Sequence, residues 1–256
     1  MTGPERIAGA FAAAGKRAAL MPYLMGGYPT LAASRDVAAA YAAGGADLAE
    51  LGIPFSDPLA DGPVIHEAGT EALRNGATVD AVLDLGAELA RDVPVVVMCY
   101  ANLVLARGVE GFAAALADRG LSGLIVPDLP LEEAPAALAA CDAAGIALVP
   151  LVAPTTPDER MAAIGARARG FLYTVSSVGT TGERAGGDFA ELVGRAQAST
   201  EVPVAVGFGI GTPERAAAAA DAGADGVIVG SRLVRAAGAG EDIEALVKSF
   251  ADALRA

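Results

Sequence analysis

The chain has 256 residues, 54% of them hydrophobic, and its 31 acidic against 18 basic residues give a net charge of −13 at pH 7. This acidic balance argues against a nucleic-acid partner, because neutralising phosphates requires clustered Lys and Arg. No charge-free apolar run reaches the roughly 18 residues that span a bilayer, and no small-residue cleavage site follows the apolar N-terminal stretch, so we expect a cytoplasmic protein.

Eight short apolar segments predict eight β-strands. In five places an Ala-rich helical pattern ends at a Gly, which is typical of a helix C-terminus, and a run of Val, Leu and Ile follows. These five places are 42–52, 118–128, 143–151, 168–176 and 221–230. Similar runs that complete the eight lie at 18–24, 94–100 and 203–207. The runs alternate little between polar and apolar residues, as is typical of parallel strands covered on both faces.

Helical patterns separate these strands, and one more, near 4–14, precedes the first. The others lie near 31–44, 64–90 in two pieces, 108–119, 131–143, 157–168, 187–198, 212–222 and 240–254. Eight βα units predict one domain over 1–256, a (β/α)8 TIM barrel whose extra N-terminal helix caps the bottom. The turn G-G-Y-P after the first strand does not supply the G-x-G-x-x-G of a doubly wound dinucleotide-binding sheet.

The second strand carries an acid, Glu50, inside an otherwise apolar run. Burying an unpaired carboxylate costs several kcal/mol, so a core strand seldom keeps one without a use. A proline-rich loop follows and presents Asp57 and Asp61. Because active sites of such barrels lie at the strand C-termini, we expect Glu50 and Asp61 to face one pocket. Asp57 is better suited to bracing the loop or facing a partner.

The last loops of the chain predict a phosphate site. Gly209 follows the seventh strand, and Gly230 and Ser231 open a short helix after the eighth. Backbone N–H groups at such turns and helix ends receive phosphate in many barrels, although glycines alone also make tight turns. Gly182, in the glycine-rich sixth loop at 176–187, is placed to complete the site; the length of that loop is typical of a lid.

Four other residues have plainer interpretations. Cys99 and Cys141 lack metal-ligand spacing, so we expect packed thiols and no metal site. His66, the only histidine, has a pKa range suited to proton transfer, but its place on a predicted helix favours the surface. Asp128 ends the fourth strand and is equally suited to bracing a loop through backbone amides.

Five motifs together carry a family resemblance. They are L-A-E-L-G-I-P-F-S-D-P-L-A-D-G-P at 48–63, M-C-Y-A-N-L-V at 98–104, V-P-D-L-P-L-E-E at 126–133, G-F-G-I at 207–210 and G-S at 230–231. With them the sequence resembles the tryptophan synthase alpha subunit family over essentially its whole length. The resemblance implies a lyase that cleaves indole-3-glycerol phosphate to indole and glyceraldehyde 3-phosphate without a cofactor of its own. The indole would pass to a beta subunit that carries pyridoxal phosphate, in an alpha2beta2 complex.

The resemblance also implies roles for individual residues. It makes Glu50 and Asp61 the catalytic carboxylates. The indole would be lined by Tyr23, Tyr100, Tyr173 and Phe208. The phosphate would be held by amides near Gly182, Gly209, Gly230 and Ser231. The beta subunit would contact Ser56, Asp57, Pro58, Asn102 and Pro130. The chain departs from the family in the sixth loop, where G-T-T-G at 179–182 replaces the frequent G-V-T-G.

The chemistry of the cleavage requires two acids in different surroundings. Breaking the bond between the indole ring and the glycerol chain is a retro-aldol step, which needs a proton on the ring carbon and loss of one from a chain hydroxyl. Glu50, desolvated in its strand, is expected to shuttle protons, and Asp61 to stay ionised and accept the indole N–H. Three alternatives to this function remain open: a free-standing indole-releasing lyase, a sugar-phosphate epimerase or isomerase, and a scaffolding subunit with little activity of its own.

Overall fold

A computed structural model of the protein describes residues 1–175 and 189–255. Its centre is a parallel sheet of short strands surrounded by helices. The strands are β1 (Ala19–Met25), β2 (Ala49–Gly52), β3 (Val95–Met98), β4 (Gly123–Ile125), β5 (Ala147–Val149), β6 (Leu151–Val152), β7 (Leu172–Val175), β8 (Val204–Gly207) and β9 (Gly226–Val229). The helices are α1 (Gly3–Ala13), α2 (Leu31–Ala43), α3 (Pro63–Arg74), α4 (Val79–Leu89), α5 (Ala101–Arg107), α6 (Val109–Ala117), α7 (Pro135–Ala144), α8 (Asp158–Gly165), α9 (Phe189–Gln197), α10 (Pro213–Asp221), α11 (Ser231–Ala239) and α12 (Ile243–Ala253).

The sheet curves into a barrel with the strand order β5-β4-β3-β2-β1-β9-β8-β7-β6. The two ends of this order, β5 and β6, are consecutive in the chain and separated only by Pro150. The barrel therefore closes through the covalent chain, and the predicted (β/α)8 TIM barrel is confirmed.

The fifth predicted strand differs from the expectation because it is divided in two. Its first part, β5, pairs with β4, and its second part, β6, pairs with β7. Pro150 lies between them and has no N–H to donate to a ladder, while its carbonyl accepts a hydrogen bond from the Tyr173 N–H at 3.0 Å. The eight predicted strands consequently correspond to nine in the described part of the chain.

Helix α1 closes the N-terminal end of the barrel, as predicted. A capping box begins it, in which the Thr2 hydroxyl accepts from the Glu5 N–H and the Glu5 carboxylate accepts from the Thr2 N–H. Ile7 of this helix is fully buried and packs among interior side chains that include Met21 and Val96. This packing excludes water from the barrel end opposite the strand C-termini.

Glycines mark the change from helix to strand at regular intervals. Gly120, Gly145 and Gly170 have φ angles of +68°, +71° and +74°. Glycine adopts this left-handed region without the steric penalty of a Cβ atom. The βα repeat read from the sequence at these positions is confirmed.

Helix α5 differs from the expectation, because the sequence analysis placed no helix between the strand at 94–100 and the helix near 108–119. In the structure β3 ends at Met98, and the Asp128 carboxylate accepts a hydrogen bond from the Ala101 N–H at 2.8 Å. That bond satisfies one of the free amides at the start of α5.

No helix among the described residues is long and apolar enough to cross a membrane.

Candidate active site

A cavity of about 290 Å³ opens at the carboxyl ends of the strands. Its walls include residues of β1, β2, β3, β6, β7 and β9 and of the loops that follow β2, β4 and β8. The lining residues that the sequence predicts are Tyr23, Glu50, Asp61, Tyr173, Phe208, Gly209, Gly230 and Ser231. Residues from both halves of the chain therefore meet in one cavity.

Glu50 faces the barrel interior. In the sheet it lies beside Tyr23 of β1 and Val96 of β3, whereas its neighbour Leu51 packs in the outer layer beneath the helices. Glu50 is 1% exposed, and neither of its carboxyl oxygens has a hydrogen-bond partner within the described residues. Burial, and to a smaller extent the charge of Asp61, raises the pKa of Glu50 to about 8. This carboxyl is therefore protonated at neutral pH.

Asp61 is held in place by Tyr100. The Tyr100 hydroxyl donates to Asp61 Oδ1 at 2.8 Å and accepts from the Ala60 N–H at 3.0 Å, and the Phe55 ring stacks on the Tyr100 ring with centroids 5.4 Å apart. The pKa of Asp61 is raised, because the effect of burial outweighs the lowering by the Tyr100 hydrogen bond and the charge of His66. Tyr100 is not among the described residues that line the cavity. Tyr100 instead positions the carboxylate of Asp61, which does line the cavity.

Two buried tyrosines of the cavity wall each lie against a glycine of the neighbouring strand. A Cβ atom on Gly52 would overlap the Tyr23 hydroxyl, and one on Gly207 would overlap the Tyr173 hydroxyl. Only glycine leaves room for the tyrosines at these two places. Burial raises the pKa of both tyrosines well above the ordinary value. Their hydroxyls are consequently neutral at physiological pH.

Phe208 adopts a strained backbone conformation beside the cavity. Its φ angle of +69° lies in the left-handed region that residues other than glycine seldom occupy. Its ring meets the Tyr173 ring edge-on, with the centroids 6.2 Å apart and the planes at 73°. Strain of this kind persists where the surrounding structure enforces it, and here it sets an aromatic ring into the cavity wall.

The predicted phosphate residues that the structure describes all line the cavity. Gly209 follows β8, while Gly230 and Ser231 begin α11 after β9. Helix α11 has nine residues and no acidic residue in its first turn, so the dipole and amides of its N-terminus favour an anion. Gly182 and the loop at 176–187 lie outside the described residues.

The residues expected to contact a partner lie on the loop after β2, on the loop after β4 and, for Asn102, at the start of α5. The exposed ones are Ser56, Asp57, Asn102 and Pro130. Pro58 is partly exposed. The Ser56 hydroxyl donates to the carboxylate of the adjacent Asp57 at 2.5 Å. Two leucines that the sequence analysis did not single out are exposed: Leu59, next to Pro58, is 75% exposed, and Leu105, on the same helix as Asn102, is 63% exposed.

The remaining candidates take structural positions. His66 is exposed on α3, and Asp128 braces the start of α5 through the Ala101 amide. Cys99 and Cys141 are buried free thiols. Among the residues that the structure describes, no group of three or more His, Cys, Asp or Glu side chains is arranged to hold a metal ion.

Sequence reasoning missed the aliphatic part of the cavity lining. These residues include Ile65, Met98, Pro127, Leu151, Val152, Val175, Ile210 and Ile228. By type they cannot be told from ordinary core residues. What identifies most of them is their position in the sequence, because they lie at or just after the C-terminal end of a barrel strand.

Comparison with known proteins agrees with this geometry. The family model described as tryptophan synthase alpha chain matches residues 10–255. The tryptophan synthase alpha chain of Methanosarcina mazei is 48% identical over 242 residues, which cover 94% of this chain and 89% of that protein. The structure is similar to Mycobacterium tuberculosis tryptophan synthase, with a TM-score of 0.91, 41% identity and 98% of each chain covered. It is also similar to a chain of the tryptophan synthase a2b2 complex of the hyperthermophile Pyrococcus furiosus, with a TM-score of 0.82, 35% identity, and 93% of this chain and 98% of that chain covered. The chain belongs to the tryptophan synthase alpha chain family.

Proposed function

We propose that Glu50 and Asp61 are the catalytic residues of this lyase, which cleaves indole-3-glycerol phosphate to indole and glyceraldehyde 3-phosphate. One observation carries the assignment. The Glu50 carboxyl is buried in the wall of a cavity that Asp61 also lines, and it has no hydrogen-bond partner among the described residues. A buried carboxyl with a purely structural role would be paired, whereas an unpaired and protonated one is available to a bound molecule.

Glu50 transfers two protons in the proposed reaction. As a neutral acid it donates its proton to the indole carbon that bears the glycerol chain, which creates an electron-accepting C=N bond in the ring. The resulting carboxylate then takes the proton of the adjacent chain hydroxyl. The carbon–carbon bond breaks, its electrons return to the ring, and the hydroxyl carbon becomes the aldehyde of glyceraldehyde 3-phosphate. The enzyme ends with Glu50 protonated again, so the protons balance.

Asp61 stabilises the charge that develops on the ring. Protonation of the ring carbon makes the indole nitrogen positive, and an ionised carboxylate accepting its N–H lowers the energy of that state. The hydrogen bond from the Tyr100 hydroxyl favours the ionised form of Asp61 and fixes its orientation. Glu50 and Asp61 thus differ in their surroundings, because the Tyr100 hydroxyl donates to Asp61 whereas Glu50 has no hydrogen-bond partner among the described residues.

The remaining lining residues would hold the substrate. Tyr23, Tyr173 and Phe208 provide aromatic surface for the indole ring, and burial of that surface would supply much of the binding energy. Amides at Gly209, Gly230 and Ser231 would receive the phosphate, together with Gly182 of the sixth loop. The phosphate end and the aromatic wall would orient the scissile bond toward Glu50.

The test is release of indole from indole-3-glycerol phosphate by the purified chain. The substitution Glu50→Gln should eliminate turnover, because an amide cannot donate or accept the transferred protons. Positioned proton transfer is worth about 100- to 10,000-fold, so the loss will be obvious. The substitution Glu67→Gln, at an exposed position of α3, is the matched control and should leave indole release unchanged. Indole release by the Glu50→Gln variant at the wild-type rate would refute the assignment.

We also propose that the protein works in the cytoplasm as the alpha subunit of an alpha2beta2 complex whose beta subunit carries pyridoxal phosphate and receives the indole. Support comes from the Pyrococcus furiosus relative, which is described as a mutually activated a2b2 complex. The contact surface would include Ser56, Asp57, Pro58, Asn102 and Pro130. Leu59 and Leu105, which are exposed and apolar, would add to it.

Adding a beta subunit to the chain should raise its rate of indole-3-glycerol phosphate cleavage. Replacing Leu59 by Asp should weaken that gain, because it puts a charge on apolar contact surface, while the rate of the chain alone stays close to the wild-type value. A chain that no beta subunit activates would instead be a free-standing lyase.

A further inference from the structure

A second cavity, of about 550 Å³, lies beside the catalytic cavity, between the loop after β4 and helices α7 and α8. Its walls are mainly aliphatic, with Val126, Leu129, Leu131, Leu138, Leu148 and Ile164 among the lining residues. Pro127, Leu151 and Thr156 line both cavities. The two cavities are therefore neighbours that share one wall.

The shared wall stands where the barrel ladder is interrupted. The β4–β5 ladder ends at Ile125 and Val149, and β6 pairs only with β7 in the described part of the sheet. Beyond the ladder, Pro127 and Pro150 have no N–H with which to extend it. Side chains, and not backbone hydrogen bonds between β4 and β6, separate the barrel interior from the second cavity at this point. Side chains can move aside without breaking the sheet.

The polar groups around the second cavity are already engaged. Asp128 accepts the first N–H of α5, the Thr156 hydroxyl accepts a backbone N–H at 3.0 Å, and the Arg160 guanidinium binds both Glu132 carboxylate oxygens at 2.6 and 2.9 Å. Arg167 lies at the exposed rim. Among the described residues that line this cavity, a metal ion or a phosphate would find no buried charged group free to hold it. An uncharged apolar ligand fits the lining without leaving a buried charge unpaired.

We propose that the second cavity binds a neutral aromatic molecule of the size of indole. The inference rests on the proposed function, which makes indole available in the adjoining cavity. Indole is neutral and almost entirely apolar, and the route between the cavities passes the apolar side chains of Pro127 and Leu151. Binding there gives the product a place outside the catalytic cavity while the phosphate-bearing product still occupies it.

The inference is tested by titrating the purified full chain with indole after a non-cleavable indole-alkyl phosphate has filled the catalytic cavity. Equilibrium dialysis should show one further equivalent of bound indole. The substitution Ala134→Phe puts a ring into the second cavity from the start of α7 and should weaken this binding by about tenfold or more. The substitution Ala136→Phe, at an exposed position of the same helix, is the control and should leave it unchanged.

A crystal soaked with 5-bromoindole under the same conditions should place the bromine signal near Leu138 and Ile164. Absence of the further equivalent, unchanged binding by Ala134→Phe, or a bromine signal elsewhere would overturn the inference. If Ala134→Phe does not fold, Leu138→Trp fills the same cavity from α7. Binding is measured without turnover. Absence of indole binding to the second cavity would therefore not argue against the proposed lyase activity, and absence of lyase activity would not alter the binding result.

Discussion

The burial of Glu50 should make its replacement by Gln stabilise the protein while it abolishes turnover. Burial raises the pKa of this carboxyl from its ordinary value of 4.5 to about 8. A group whose folded-state pKa is raised contributes full stability below its unfolded pKa and loses it as pH rises toward the folded pKa. The wild type should therefore lose stability from Glu50 between pH 4.5 and pH 8, and the Gln variant should not.

The size of the effect follows from the same shift. Each pH unit within that window costs about 1.4 kcal/mol, so the whole window corresponds to about 5 kcal/mol as an order-of-magnitude figure. Glu50 is 1% exposed, so solvent screening reduces this little. The Gln variant should exceed the wild type in free energy of unfolding by under ~1 kcal/mol at pH 5 and by about 4 kcal/mol at pH 8.

Urea denaturation of both proteins at pH 5 and pH 8, followed by circular dichroism, measures this difference. The control is the exposed Glu67→Gln substitution, for which no such growth with pH is expected. A difference between Glu50→Gln and wild type that is the same at the two pH values would refute the reasoning, and so would a Gln variant less stable than wild type at pH 8.

Three further substitutions test individual contacts. Tyr100→Phe removes the hydrogen bond to Asp61 and should lower the kcat for indole release more than it changes KM, with a stability loss of about 1 kcal/mol. Gly52→Ala places a methyl group where the Tyr23 hydroxyl lies. It should lower the free energy of unfolding, measured by thermal denaturation, by about 1 to 3 kcal/mol and should also lower activity. Asp128→Ala leaves the first amide of α5 without its side-chain acceptor and should cost about 1 kcal/mol while the isolated chain stays active. An unchanged kcat for Tyr100→Phe would contradict the first expectation. An unchanged melting temperature for Gly52→Ala would contradict the second, and loss of activity in Asp128→Ala would contradict the third.

The barrel could be predicted because its signals are local. Each predicted strand is a short apolar run, five of the eight follow a Gly, and Gly120, Gly145 and Gly170 do adopt the left-handed backbone conformation that such a position requires. Glu50 stood out for the same reason, since one acid in an apolar strand contradicts its surroundings. The division of the fifth strand could not be predicted, because it depends on which neighbours the residues on either side of Pro150 pair with.

The role of Tyr100 was also beyond sequence reasoning. Its hydroxyl reaches Asp61 only because the chain turns into α5 after β3 and brings residue 100 over the loop at 60–61. The resemblance placed it among the residues that line the indole, whereas in the structure its hydroxyl donates to the Asp61 carboxylate. Contacts between distant loops depend on the tertiary arrangement, which residue type and spacing do not specify.

The central claim is that a protonated Glu50 gives its proton to the indole ring. The most direct measurement is the rate of indole formation in a single turnover, followed from pH 6 to pH 9.5 with the wild-type protein. Because the pKa of Glu50 is about 8, the rate should be nearly constant up to about pH 7.5 and then fall by about tenfold for each pH unit well above the pKa. A rate that stays constant or rises through pH 9.5 would contradict the claim.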